Sequence, residues 1–499
     1  MKKKFLILFP LFLSYAALSF FGLSFFLKTW IFKVPGVLAF SESFPEAEKS
    51  FYKDLLKETE LEENLNLKIS TSLSAREISE KTYLLDIFVP TTDFYDSKSS
   101  IDASALTEKY TSSDPSLIPV EKLTNQLKLL AVEENGVENY FLDTFSSGAV
   151  FKYLDLETNS EKDLSTFKTL ISPSLKTFPE KSNTLSLLQT GVTALSRRMN
   201  AKLAEVEAEG KTASFFTENI AEFLNKFDLT HTSSESSFSE LATSANICSD
   251  PAMIDVFKSG GIDIVELTGN HNLDCGVDAA LETLETYKSL GIKTFGGGEN
   301  AEDAKTPLEI VQKGNKITLF GFNESTGGAT TGDYPGANQF YEEPARAEIA
   351  AEKEKGNLVI VDVQYYECSE YVSDVEDTTC DAADSSAGDQ IGLFRELIDM
   401  GADLVIGTSA HQPQTFELYN NGIIFYGLGN LFFDQSWWPG TTRSLAVASY
   451  IYNNQLIQNR IFGTVYDDNY QPELMSAEDL PWFLDRLMTS RPDNQTLRI

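Results

Sequence analysis

The chain has 499 residues, 42% of them apolar, and carries 40 basic against 74 acidic side chains for a net charge of −34. That length and apolar content allow two or three domains with buried cores and exclude wholesale disorder. A surface this acidic repels nucleic acid and anionic lipid, so nucleic acid is excluded as a partner and cations, or simple solubility, are favoured.

The chain opens "MKKKFLILFPLFLSYAALSFFGLSFFLKTW", with an uncharged apolar stretch from Phe5 to Leu27 behind three lysines. About twenty such residues span a bilayer as a helix. Lys28, Trp30 and Lys33 stand where a signal-peptide cleavage site should be. Residues 1–34 therefore read as a retained transmembrane signal anchor. Lys2, Lys3 and Lys4 orient the N-terminus inward, which predicts a single-pass cell-membrane protein with its bulk extracytoplasmic. Outside the cytoplasm the four cysteines can pair. A Cys368–Cys380 bridge would staple the polar loop "CSEYVSDVEDTTC", and Cys248–Cys275 is a second candidate. No close CxxC pair exists, which disfavours cysteine as a metal ligand.

Residues 35–183 read as a smaller α/β domain of unknown role. Its start, to about residue 70, is charged and predicted helical ("EKSFYKDLLKETELEENLNL"), and "VEKLTNQLKLL" could begin as a helix. Strands are predicted in "TYLLDIFVPTTDFYD", "LKLLAVEE" and "GAVFKYL", rich in β-branched and aromatic residues. The Ser/Pro-rich "SPSLKTFPEKSNT" is a link. From 184 to 467 strand and helix alternate. "SLLQTGVTALSRRM", "IDIVEL", "KITLFGFNE", "NLVIVDVQYYE" and "ADLVIG" are strands, "ASFFTENIAEFLNKF", "DPAMIDVFKSGG", "GVDAALETLETYKSLG" and "DQIGLFRELIDMG" helices, and "GIIFYGLGNLFFDQ" a strand–loop–strand. Such alternation predicts an α/β core with a largely parallel sheet and ligands at the carboxyl ends of its strands. Residues 468–499 read as a helical tail.

The three histidines sharpen the site prediction. "GIDIVELTGNH" and "GADLVIGTSAH" share a frame in which Gly261 precedes His271, and Gly401 precedes His411, by ten positions. Each is a helix end, a buried strand and a loop, so both imidazoles should emerge at one sheet edge. His231 follows the short "DLTH" strand and is expected near the same rim. Imidazole can ligate a metal, move a proton or bind phosphate.

From about Leu187 to Asp467 these stretches resemble the capsule-synthesis CapA family, associated with poly-γ-glutamate capsule formation and built on a calcineurin-like metallophosphoesterase fold. "LTGNHNLDCG" matches the family's Asn-Asn-His and Asp-x-Gly loop, and "VIGTSAHQPQTFELYNNGIIFYGLGNLFFD" its Gly-His-His-Pro-His segment and following strand. "TGVTALSR", "THTSSESSF" and "VDVQYYECSEY" fall on its Gly-Asp-Val-Met-Leu-Gly-Arg, Asn-Leu-Glu and His-Trp-Gly-x-Glu-Tyr segments. The resemblance implies a metallophosphatase sandwich of β-sheets flanked by helices.

Carried over position by position, the chain keeps Glu235, Asn270, His271 and His411, but Val192 replaces the first motif's aspartate, Gln364 a histidine, and Ser409, after Thr408, the first histidine of the His-x-His pair. Glu367 or Glu370 could take the family's glutamate position. Valine cannot ligate, and glutamine and serine are weak neutral ligands, so a two-metal centre is not expected. What the resemblance leaves is one divalent ion (Mn, Fe or Zn) on Glu235, Asn270 and His411. His271, His411 and Arg197 would be the reacting groups, and Gln364, Gln412, Asn430 and Asp434 would contact substrate. Trp437 and Trp438 would either stack on a ligand or pack their own loop.

The expected function is a membrane-anchored, CapA-like role in synthesis, export or anchoring of an anionic surface polymer such as poly-γ-glutamate, with that polymer or its synthesis machinery as partner. Two alternatives stand beside it: a metal-dependent phosphoesterase with His271 as acid or base, and a catalytically degenerate polymer-binding module.

Overall fold

A computed structural model describes residues 177–365 apart from 325, 326 and 331, residues 389–492 apart from 437, 438 and 490, and further upstream 29–32, 37–40, 66–72 and segments within 82–170. The Phe5–Leu27 stretch, the Cys368–Cys380 pair, Glu367 and Glu370, and the Trp437–Trp438 pair lie outside the described residues. Among the described residues no helix is long and apolar enough to cross a membrane. The chain divides into two units.

The first unit contains a sheet whose main path is β1 (Thr29–Phe32), β2 (Val37–Phe40), β3 (Asn66–Ser72), β4 (Thr82–Asp93), β5 (Leu117–Pro119) and β6 (Val150–Glu157), in the order β1-β2-β3-β6-β4-β5, and also a small three-stranded sheet. Two expectations change. β1 falls within the segment assigned to the anchor, and β2 and β3 fall where a helix was expected through residue 70. "VLAF" and "NLKISTS" carry the β-branched and aromatic residues that favour a pleated surface, a local signal masked by the charged run between them. At 120–130 only the turn Val120–Lys122 is helical, as a 3-10 helix.

The second unit holds two mixed sheets instead of one largely parallel sheet. The first contains β7 (Thr184–Thr193), β8 (Leu229–Ser234), β9 (Ile264–Glu266), β10 (Lys293–Phe295) and, later in the chain, Asn430–Phe432, Arg443–Tyr452, Gln455–Tyr466 and Pro472–Leu474. β7, β8, β9 and β10 are parallel neighbours, while Arg443–Tyr452 runs antiparallel along the other side of β7. The second sheet contains β11 (Leu308–Gln312), β12 (Asn315–Asn323), β13 (Leu358–Gln364), β14 (Leu404–Thr408), β15 (Phe416–Tyr419) and β16 (Gly422–Phe425), in the order β11-β12-β13-β14-β16-β15. Its centre is parallel, and hairpins make both edges antiparallel.

Side-chain alternation with period two explains the layering. In β13, Leu358 and Ile360 join a core shared with Leu187 and Leu229 of the first sheet. Val359, Val361 and Val363 point the other way, onto Ala345 and Ile349 of α1 (Glu342–Glu354) and Phe394, Leu397 and Ile398 of α2 (Gln390–Met400). Along the shared seam the inward positions then turn polar. Leu229 gives way to His231 and Ser233, Ile264 to Glu266, Ile360 to Asp362 and Gln364, and Ile406 to Thr408, all buried. His231 therefore sits in mid-strand inside the seam, not on a strand-end loop. The helix expected over 213–227 is a 3-10 turn, Ala213–Thr217, and a single turn, Ala221–Leu224.

Ile360→Ala, at a fully buried seam position, is expected to cost about 2–5 kcal/mol in urea unfolding. Val311→Ala on the edge strand β11, 74% exposed, should change stability by no more than about 0.5 kcal/mol.

Candidate functional site

The polar end of the seam lies at the carboxyl ends of the parallel strands of both sheets, and most of the predicted site residues gather there. Glu235 immediately follows β8 and is 1% exposed. His411, on the loop after β14, is 2% exposed, and its Nε2 lies 4.0 Å from Glu235 Oε2. Asn430 fixes that ring by placing its Oδ1 3.0 Å from His411 Nδ1, while its own amide donates to Gln435 Oε1 and the Thr441 carbonyl. Neither Glu235 oxygen has a hydrogen-bond partner. A buried carboxylate in that condition needs a proton or a cation.

Asn270 arrives from the first sheet and Gln364 from the second. Gln364 Nε2 donates to Asn270 Oδ1 at 3.2 Å, and its Oε1 accepts from Thr408 Oγ1 at 3.2 Å. Gly269 makes this approach possible, because a Cβ there would lie 3.0 Å from Glu235 Cγ and from the Ser234 carbonyl. Ser409 holds the His411 loop in the left-handed region, at φ 74°, with its side chain buried. Such backbone in a non-glycine residue is sustained only where the surroundings enforce it. Gln412 is fully buried and packs on Gly440, where a Cβ would collide with its Oε1.

Arg197 is the cation on this rim. It too has positive φ, 53°, and its Nε and Nη2 donate to Asp434 Oδ1 at 3.0 and 2.6 Å. Asp434 Oδ2 accepts from the Arg198 backbone N–H, the first residue of the helix Arg198–Ala208, so one carboxylate caps the helix and grips Arg197. Phe433 links this pair to the buried half of the site: the Arg197 guanidinium carbon lies 4.6 Å from its ring centroid and the His411 ring 5.1 Å.

His271 is placed differently from its expected role beside His411. The two loops leave different sheets, since β9 and β14 belong to separate ones. The His271 side chain is 27% exposed, with Nδ1 2.9 Å from Asp274 Oδ2. The Cys248–Cys275 disulfide, Cα atoms 5.7 Å apart, ties this loop to the short strand at Cys248–Ser249.

The donor set of these residues is too small for two ions. Val192, where a second ion would need a carboxylate, is buried in apolar contact with Ala194 and Phe433. The Glu235 carboxylate, without a hydrogen-bond partner and 4.0 Å from His411 Nε2, is the group here that a cation would satisfy, although among the described residues no three His, Cys, Asp or Glu side chains cluster as a metal site would. Phe433 was missed from sequence because "NLFFD" reads as strand core. Glu266 and Asp362, just below the site, were missed although each is an acid inside a largely apolar run, "IVEL" and "LVIVDV", which is itself a signal.

The family model described as bacterial capsule synthesis protein PGA_cap matches residues 186–435, half of the chain, and those bounds enclose the site residues from Arg197 to Asp434. The chain is 29% identical over 188 residues to the capsule biosynthesis protein CapA of Bacillus anthracis, covering 37% of this chain and 43% of that one. It is 30% identical over 201 residues to the PGA biosynthesis protein CapA of Bacillus subtilis (strain 168), covering 40% and 49%. A probable polyglutamine synthesis accessory protein of Mycobacterium tuberculosis is 25% identical over 181 residues, covering 34% and 44%. The matched part thus spans less than half the length of these relatives. Among solved structures, TT1561 of Thermus thermophilus overlaps 56% of this chain and 98% of its own at 8% identity, with a TM-score of 0.30, an overlap too slight to assign a fold.

Replacing Cys248 and Cys275 by serine opens a covalent loop of sequence separation 27. It should cost about 3 kcal/mol in chemical unfolding. Hydrogen exchange should show faster opening of residues 267–276 than of the seam strands, and equal protection in both forms would contradict this account.

Proposed function

The chain belongs to the bacterial capsule synthesis protein family PGA_cap, and from that premise we propose that it acts in making, exporting or anchoring an anionic cell-surface polymer, poly-γ-glutamate being the candidate that the relatives' names supply. The carrying observation is that the family match encloses the whole converged site, from Arg197 to Asp434. The proposal includes a calcineurin-like arrangement of the two sheets and an N-terminal anchor over residues 1–34, with the second unit outside the cytoplasm. The Cys248–Cys275 disulfide supports an oxidising compartment. The lysines ahead of Phe5–Leu27 support the orientation.

A net charge of −34 opposes contact with a polyanion. One divalent ion held by Glu235, His411 and Asn270 would supply a Lewis-acidic point for a carboxylate or phosphoryl oxygen. The chain's own groups have defined tasks. Asn430 orients the His411 ring so that Nε2 faces Glu235. Gln364 orients the Asn270 amide. Arg197, steadied by Asp434 and the Phe433 ring, presents a guanidinium at the rim for a polymer carboxylate. With Val192, Gln364 and Ser409 in place of ligands, two-ion phosphoester hydrolysis is disfavoured, and binding or positioning of polymer is the reading that the site supports best.

Full-length protein extracted from membranes is expected to carry about one Mn, Fe or Zn per chain by elemental analysis, lost in Glu235→Gln and His411→Ala while circular dichroism is unchanged. Deleting the gene in its native host should abolish surface poly-γ-glutamate, with recovery by the wild type and not by His411→Ala. Undiminished polymer in the deletion strain would refute the capsule role.

A further inference from the structure

Below the site, the seam holds three ionisable side chains for which the function above has no use. His231 lies on β8, Glu266 on β9 and Asp362 on β13, at 1%, 0% and 1% exposure. His231 pairs in register with Ile264, and Ser233 with Glu266, so imidazole and carboxylate are diagonal neighbours on one sheet. Asp362 meets them from the facing sheet, its Oδ2 3.1 Å from His231 Nε2, without the alignment of a hydrogen bond. Neither His231 nitrogen, neither Asp362 oxygen, and not Glu266 Oε2 has a hydrogen-bond partner. Five unsatisfied buried polar atoms in one place are costly unless something charged or protic binds them.

The groups facing this cluster are few. Glu266 faces Asp362, Ser233 and Thr268. His231 faces Asp362 and, from β10, the Phe295 ring, with centroids 5.7 Å apart, and it pairs across β7 with Gln189, whose Nε2 is also unpartnered. None of these is lysine or arginine. Two carboxylates and one imidazole therefore share a dry space with no fixed counter-charge. With no fixed cation in reach, a proton on Glu266 is what relieves the repulsion between the two facing carboxylates. Burial, then the nearby Asp362 charge, pushes the Glu266 carboxyl up to about 7, against the opposing hydrogen bond that Oε1 accepts from the Thr268 backbone N–H.

The cluster is wired to the site loop. Glu266 Oε1 accepts from the Thr268 backbone N–H. The Thr268 carbonyl accepts from Asn323 Nδ2 at 2.7 Å, and Asn272 Nδ2 donates to the Ser234 carbonyl at 3.1 Å. Asn270 and His271 lie between these pins. We propose that His231, Glu266 and Asp362 form an internal proton-binding centre whose loading governs how firmly loop 268–272 is held, and with it the presentation of Asn270 and His271. With Glu266 protonated that repulsion is absent; as the proton leaves, Glu266 and Asp362 repel across the two sheets, an effect larger than the firmer hold an ionised Glu266 takes on the Thr268 N–H. This goes beyond the capsule reading and does not depend on what the site binds.

The sign follows from linkage. A carboxyl whose proton is held more tightly in the folded state contributes stability that is fully present below its ordinary value of 4.5 and is lost as pH rises through about 7. The full-length chain should therefore show a urea midpoint that falls between pH 5 and 8. Hydrogen exchange in residues 267–276, corrected for intrinsic rate, should lose about tenfold protection over the same range. Glu266→Gln should remove both effects, whereas Glu354→Gln, an exposed control on α1, should keep the wild-type slope. Should Glu266→Gln fail to fold, infrared spectra of the wild type still decide: a protonated-carboxyl band that persists above pH 5 and vanishes near 7 supports the proposal. No such band, or equal pH slopes in wild type and Glu266→Gln, overturns it. A stoichiometric metal that survives Glu235→Gln and is lost in Asp362→Asn also overturns it, because the centre would then hold a cation. Loss of metal in Glu235→Gln alone bears on the site above and leaves this centre standing.

Discussion

Everything in the second unit depends on the seam between its two sheets changing character along its length. At the amino ends of the parallel strands the facing residues are hydrocarbon: Leu187, Leu229, Ile264, Leu358, Ile360, Leu404 and Ile406 interlock there. Burial of that surface drives the sheets together, at about 25 cal/mol for each Å² removed from water. Two residues further along each strand the same face carries His231, Glu266, Asp362 and Thr408. Those groups could not hold two sheets together by themselves, since burying them unpaired is unfavourable. The apolar half supplies the adhesion that keeps the polar half dry. The candidate site is the open end of that polar half.

Much of this was legible in the chain. Gly-terminated helices, apolar runs and the ten-residue echo between Gly261–His271 and Gly401–His411 located two strand ends and their loops. The pairs Glu235–His411 and Asn270–Gln364 join residues that the resemblance singles out. What was not legible was the division into two sheets. Buried parallel strands read alike whichever sheet they join, and pairing partners are decided by contacts distant in sequence. The same gap misplaced His231: "DLTH" resembles a strand running out into a loop, yet β8 continues to Ser234. Period-two spacing of Leu229, His231, Ser233 and Glu235 put all four on one face, a pattern visible in "LTHTSSE" once strand is assumed.

The site also shows how a family scaffold tolerates change. Val192, where the family resemblance would place an aspartate, joins Ala194 and Phe433 in a small apolar cluster. Phe433 in turn lies against both Arg197 and His411. An apolar replacement therefore supports the polar groups that remain, where another polar residue would have needed partners of its own.

Asp434 carries a consequence of a different kind. One of its oxygens receives the Arg197 guanidinium, and the other receives the first backbone N–H of the helix Arg198–Ala208. A regular structural element and a partly exposed cation are thereby rooted in the same three atoms. Evolutionary drift at this position is consequently constrained twice over: a replacement that spared the guanidinium would still have to begin the helix. Descendants of this chain are expected to alter residues 197 and 434 together or not at all.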